Sequence, residues 1–103
     1  YRNNQMPKNS RMDLFYNNYP RYHNERTYKA VDEYFKVSQK HRISLTQLSQ
    51  AFVNSRDFVT SNIIGATNMK QLKENIDSIN ISLNQEIMGE INSIHENIPN
   101  PAP

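Results

Sequence analysis

Apolar side chains recur at helical spacing along most of the chain, and one short run breaks that rhythm. Asn24 is a favoured cap, and beyond it Tyr28, Val31, Phe35 and Ser38 fall on one stripe, widened by Ala30 and Tyr34. That spacing predicts a helix to about His41. Lys36, Lys40, His41 and Arg42 crowd its last turns, where cations suit the helix dipole. Ser44, with Gln47 at the capping-box position, opens a second helix to about Ser55, with Leu48, Ala51 and Phe52 on its apolar face. Then the period changes. Val59, Thr60, Ile63 and Ile64 form a β-branched run without alternation, the pattern of a strand covered on both faces. Gly65 follows and is read as a tight turn, supplying conformational freedom and room for close approach. Asn68 and Gln71 predict a capping box opening a third helix, with Met69, Leu72, Ile76 and Ile79 as its buried stripe. Gln71, Glu74, Asn75 and Ser78 form a polar stripe beside it, facing the turn. Asn84, Gln85 and Glu86 open a last helix, whose apolar stripe is Ile87, Ile91, Ile94 and Ile98. Gly89 costs that helix roughly 1 kcal/mol of propensity, and Pro99, Pro101 and Pro103 leave a stiff tail.

The first 23 residues carry no such period. Residues 1–10 are polar and Asn-rich around Pro7, an irregular loop. In residues 11–22 Phe15, Tyr16, Tyr19 and Tyr22 alternate with Arg11, Arg21 and asparagines, broken at Pro20, which predicts a helical turn and then loop. Interleaved Arg and Tyr suit single-stranded nucleic acid. A net charge of +2 is too slight for that, so a loop anchored by tyrosines is preferred and no nucleic-acid partner is expected.

Composition narrows the class further. At 103 residues, 36% hydrophobic and a mean hydropathy of −0.86, the chain is poorly equipped to bury a core unaided. With no cysteine, disulfides and thiol chemistry are excluded and a reducing compartment is favoured. No apolar run approaches the ~20 residues of a membrane span, so a cytoplasmic protein without a membrane partner is expected. A single strand has two unpaired edges. The expectation is therefore a C-terminal segment of a larger α/β sheet.

His23, His41 and His95 have no ligand-type partner at helical spacing on a shared buried face, so no metal site is expected. No Ser/His/Asp arrangement follows from spacing, and Tyr28 and Lys29 point apart on their helix. The Gly65 turn is the one chemical candidate: a strand running through glycine into a capped helix aims backbone N–H groups at a phosphate. Its structural counterpart stands beside it. Asn68 and Gln71 then only cap, Glu74 pairs with Lys70 four residues back, and Asn75 is solvated.

The run Asn62-Ile-Ile-Gly-Ala-Thr-Asn-Met-Lys-Gln-Leu-Lys-Glu-Asn75 closely resembles the C-terminal cofactor signature of the aldo-keto reductase superfamily. It is most similar to the bacterial branch near the potassium-channel β-subunits. The likeness extends back through Leu48-Ser-Gln-Ala-Phe-Val-Asn-Ser-Arg-Asp-Phe-Val, and forward to Leu83-Asn-Gln-Glu and the closing Pro-Asn-Pro-Ala-Pro. The resemblance implies the C-terminal portion of a (β/α)8 TIM barrel that uses NADP(H) to reduce aldehydes or ketones. Residues 1–23 would be the loop after strand 7, 24–55 helix 7 in two parts, 58–65 strand 8, 68–79 helix 8, and 84–98 a C-terminal helix. It further implies that Gly65, Ala66 and Thr67 wrap the adenosine 2′-phosphate. Gln71, Glu74 and Asn75 would hold adenine and ribose, and Arg11, in Asn-Ser-Arg, would reach the cofactor from the preceding loop. The turn lacks the Lys-Ser and downstream Arg cluster of other branches. The family's catalytic Asp, Tyr, Lys and His motifs lie on earlier strands, so by the resemblance this chain closes a barrel and holds the adenine half of the cofactor. Two other classes compete: a non-enzymatic cofactor sensor or channel-associated subunit, and a stand-alone helical interaction module.

Overall fold

Each long helix begins at a short polar side chain that accepts the amide three residues on. Asn24 takes Thr27 N–H, Ser44 takes Gln47 N–H, Asn68 takes Gln71 N–H and Asn84 takes Ile87 N–H. These are the four caps expected from the sequence. The computed structural model describes Arg2 and residues 5–103, so Tyr1, Asn3 and Asn4 of the expected N-terminal loop lie outside the described residues. Five α-helices form among the described residues: α1 (Arg11–Leu14), α2 (Glu25–Lys40), α3 (Leu45–Asn54), α4 (Met69–Asp77) and α5 (Gln85–Asn97). Short 3-10 turns follow at Tyr16–Asn18, Pro20–Tyr22 and Ser78–Asn80. No helix among them is long and apolar enough to cross a membrane.

α2 packs on α5 and α3, and α3 packs on α4 and the turn Ser78–Asn80. The core sits where α2, α3 and α5 meet. Val37, Leu48, Ile87 and Ile91 are buried there, with Tyr34, Phe52, Leu83 and Ile94 packed around them. The expected faces of α3 and α5 therefore point inward, and that of α2 does so in part: Ala30, Tyr34 and Ser38 of the expected stripe face the interior, joined by Val37, which the stripe left out. Ala30, Val37 and Ser38 are buried, while Tyr28, Val31 and Phe35 are only half-buried. Tyr28 and Phe35 have polar partners instead: the Tyr28 hydroxyl lies 3.5 Å from His23 Nδ1, and the Arg2 guanidinium stands over the face of the Phe35 ring, 3.6 Å from its centroid. Burial of Tyr34 pushes its hydroxyl pKa up.

The break between α2 and α3 is made without glycine. Arg42 adopts a left-handed conformation (φ 57°), its N–H donates to Gln39 O, and Ile43 N–H donates to Ser38 O. This is the 5→2 and 6→1 pattern that usually places glycine after a helix. Across the break, the Lys40 ammonium lies 2.5 Å from Glu90 and 3.2 Å from Glu86, and His41 Nε2 lies 3.2 Å from Glu90. That clasp fastens the end of α2 to α5. The start of α2 is fastened by the proline tail: Arg26 donates to Pro99 O at 2.7 Å and Thr27 Oγ1 to Pro101 O at 2.8 Å.

Two expectations fail along residues 58–80. No β-strand forms among the described residues, and the expected strand 58–65 runs as irregular backbone with Phe58 85% and Ile63 94% exposed. A strand is held by its neighbours' ladder, and no neighbouring strand is present to supply one. α4 is also inverted. Met69 is 76%, Ile76 54% and Ile79 75% exposed, with Leu72 half-buried, whereas Asn75 and Ser78 of the polar stripe are buried. The polar face finds hydrogen-bond partners on its own neighbours; the apolar face has none to pack on.

Two outcomes follow for stability. Gly89 is exposed in the middle of α5 with nothing within 4 Å of where a Cβ would sit. Gly89→Ala is therefore expected to stabilise the fold by about 1 kcal/mol in urea denaturation. The Lys40 hydrogen bond, then that of His41, lowers the Glu90 pKa, and bonds from Glu90 and Glu86 raise that of Lys40. Glu90 thus adds stability at pH values above the ordinary carboxylate range, lost as pH falls through its depressed folded value; Lys40 adds stability lost as pH rises through its raised one. Glu90→Gln should flatten the acid limb of a stability–pH curve, and an unchanged limb refutes the clasp.

Candidate functional site

Residues 62–75 are shaped by side chains from two helices. On the entering arm, Asn62 Nδ2 donates to Gln50 Oε1 at 2.5 Å and lies 3.2 Å from Asn54 Oδ1, both acceptors on α3. On the leaving arm, the Ser44 hydroxyl donates to Glu74 Oε1 at 2.5 Å. Between the arms the turn closes on the helix it opens. Asn75 Nδ2 donates to Gly65 O at 2.9 Å, and Gln71 Oε1 accepts from Thr67 N–H at 2.8 Å and Thr67 Oγ1 at 2.9 Å. The Ser78 hydroxyl donates to Asn75 O at 2.6 Å.

The structure therefore brings Gly65, Thr67, Gln71 and Asn75 into one hydrogen-bonded unit, with Glu74 beside it on α4. It also corrects four readings. The reciprocal capping box at Asn68 is not formed, because Gln71 reaches one residue further back, to Thr67. Glu74 bonds Ser44 in place of the expected pair with Lys70, and Asn75 is 8% exposed where the structural reading had it solvated. The tight turn expected at Gly65 does not form either: Gly65 lies in irregular backbone without a positive φ, the chain bends at Thr67 and Asn68 instead, and glycine's conformational freedom is not required. What glycine leaves there is space: nothing lies within 4 Å of where a Cβ would sit.

Chemically, the arrangement offers donors. The amides of Met69 and Lys70, in the first turn of α4, have no acceptor within their helix, and the dipole favours an anion there. Lys70 is exposed in that turn. Ala66 is exposed between Gly65 and Thr67. A cleft of about 520 Å³ runs behind the turn, lined by Gln50, Asn54, Asn62, Asn75 and Ile76. Arg11 is not brought to this unit. It is exposed at the start of α1, and no hydrogen bond or ion pair among the described residues joins it to the turn. Its neighbour Met12 lines a cavity of about 170 Å³ against α2 with Tyr22, His23 and Tyr28.

Sequence spacing also missed Ser44, Gln50 and Asn54, which hold the arms from 30, 12 and 8 positions away. No local pattern signals such pairs. His41, Glu86 and Glu90 form another grouping that spans two helices, their ligand-type atoms within 4.8 Å of one another. The Lys40 ammonium already supplies the positive charge between those two carboxylates.

Comparison with known proteins adds the following. The family model described as "Aldo/keto reductase family" matches residues 1–96. The chain is 38% identical over 103 residues to "Protein tas" of Escherichia coli (strain K12), and equally to that of Shigella flexneri. In both cases all of this chain is covered, and it spans 30% of the length of the relative.

The Asn75 bond to Gly65 is directly testable. Asn75→Asp replaces a buried donor with an acceptor facing a carbonyl, and is expected to cost about 1–3 kcal/mol. Amide exchange at residues 65–67 should accelerate in the same variant. Unchanged protection there would show that the turn does not depend on this bond.

Proposed function

The chain belongs to the aldo/keto reductase family, and we propose that it is the C-terminal part of a reductase, supplying the adenosine end of an NADP(H) site to a (β/α)8 barrel that reduces aldehydes or ketones. The observation that carries this reading is the unit built from Gly65, Thr67, Gln71 and Asn75. Polar side chains of α4 hold the irregular segment of residues 65–67 against the helix N-terminus that follows it, and the Gly65 position is left open for a close-approaching group.

In this reading Gly65, Ala66 and Thr67 wrap the 2′-phosphate, with the first amides of α4 as donors. Thr67 N–H is already taken by Gln71, which leaves the amides of Gly65 and Ala66 for a phosphate. Gln71, Glu74 and Asn75 line the adenine and ribose. Arg11 joins the site only in the intact protein, where the rest of the barrel orders its loop against the cofactor. The bound cofactor supplies the hydride. The residues of this chain bind and orient its far end, and the Asp, Tyr, Lys and His that handle substrate and proton stand on strands outside this segment.

The barrel assignment draws on the exposed apolar side of residues 58–79. Phe58, Ile63, Met69 and Ile79 are each at least 75% exposed, an arrangement that is expensive in water unless another layer covers it. A preceding parallel strand would pair residues 58–65 and bury that face. The small carbonyl substrate and the remainder of the barrel are the partners this reading requires.

Gly65→Val separates binding from folding. Because a Cβ there meets open space, the fold should lose less than about 0.5 kcal/mol. In the protein expressed from its complete reading frame, NADPH affinity by fluorescence titration should fall at least about tenfold, as a branched side chain blocks close approach. An unchanged dissociation constant refutes the site.

A further inference from the structure

We propose that Ser44, the N-cap of α3, is a positioning residue for nucleotide recognition, acting through Glu74; the inference rests on the nucleotide-site reading above. Glu74 lies on α4 with a flexible side chain that, left alone, would be free to swing toward Lys70 one turn back. The Ser44 hydroxyl fixes it, donating to Glu74 Oε1 at 2.5 Å across the α3–α4 contact. One carboxylate oxygen is held by the protein, and the other is left to accept from a ligand's donors, such as a ribose hydroxyl or the exocyclic amine of adenine.

Ser44 is itself locked. Its Oγ accepts Gln47 N–H at 3.1 Å, and its own N–H donates to Gln47 Oε1 at 3.3 Å, so the capping box is closed in both directions. With a lone pair of Oγ engaged by that amide, the hydroxyl hydrogen is directed to the carboxylate. The positive end of the α3 dipole favours the negative charge at the same place. Serine thus does two jobs with one oxygen: it starts α3, and it sets the rotamer of a carboxylate 30 residues later. A cap alone would need only the first.

The test separates these jobs. Ser44→Gly removes the hydroxyl at a position where glycine is itself an accepted N-cap, while Ser44→Thr keeps both the cap and the donor. Binding of adenosine 2′,5′-bisphosphate is measured by calorimetry in the protein expressed from its complete reading frame, with helicity checked by circular dichroism. Ser44→Gly and Glu74→Gln are each expected to weaken binding about tenfold, as loss of a hydrogen bond involving a charged group does. The double variant should be no weaker than Glu74→Gln alone, and Ser44→Thr should bind as the native protein does. Native affinity in Ser44→Gly, or penalties that multiply to about a hundredfold in the double variant, overturns the inference. If the native protein binds and Gly65→Val weakens it while Ser44→Gly does not, the nucleotide site stands and only the role of Ser44 falls. A native protein that does not bind the probe overturns both.

Discussion

Polar side chains of α3 and its cap hold the segment that leads into α4 and α4 itself, Gln50 and Asn54 through Asn62 and Ser44 through Glu74, and the arrangement of residues 62–75 depends on them. α3 has two working faces. Leu48 and Phe52 pack in the core shared with α2 and α5, while Ser44, Gln50 and Asn54 bond Glu74 and Asn62. A typical intramolecular hydrogen bond contributes about 0.5–1.5 kcal/mol net, less than the ~1.5–3 kcal/mol of fully burying a large aliphatic side chain. The layer therefore holds α4 less firmly than the core holds α5. It has the compensating property of direction. Apolar contacts tolerate sliding, whereas an amide aimed at a carbonyl fixes distance and angle together.

That distinction explains what was legible in the sequence. Caps were, because the bond runs from a side chain to an amide three residues on and is written into adjacent positions, as at Asn24, Ser44, Asn68 and Asn84. The inward faces of α3 and α5 were legible too, since Leu48 and the Ile87–Ile91 row have a core to meet. On α2, Ala30, Tyr34 and Ser38 were legible but Val37 was not, because Tyr28 and Phe35 look as apolar as Val37 in a pattern, yet the Tyr28 hydroxyl lies beside His23 and the Phe35 ring face is covered by Arg2.

α4 shows the deeper limit. A hydrophobic period identifies a face that seeks cover; it does not say whether the cover lies in the same stretch of chain. Met69, Ile76 and Ile79 were read as buried, and within this chain they face outward. The same holds for Ile63, whose β-branched run reads as a strand but has no ladder to join. Contacts between distant positions were not legible at all. The Ser44–Glu74 bond and the docking of Pro99 and Pro101 on Arg26 and Thr27 join residues 30 to 74 positions apart. Of the candidate residues the resemblance named, hydrogen bonds join Gly65, Thr67, Gln71 and Asn75, while Glu74 is bonded to Ser44, Ala66 is exposed between Gly65 and Thr67, and Arg11 lies apart.

The charge arrangement around the turn bears on how such a site would accept a phosphate. Glu74 carries a negative charge on the same polar face as Gln71 and Asn75, one turn beyond the first amides of α4. A carboxylate swung toward those amides would compete with an anionic ligand for them and repel it. Its bond to Ser44 draws it aside, toward the N-terminus of α3, where a second helix dipole favours its charge. In the proposed site two helix N-termini would thereby be divided between two anions, the protein's own at α3 and an incoming one at α4. Lys70 stands exposed in the first turn of α4. The polar layer thus does more than hold α4 in place: by keeping the protein's own carboxylate occupied, it would, in the proposed site, leave the amides next to Gly65 for a phosphate.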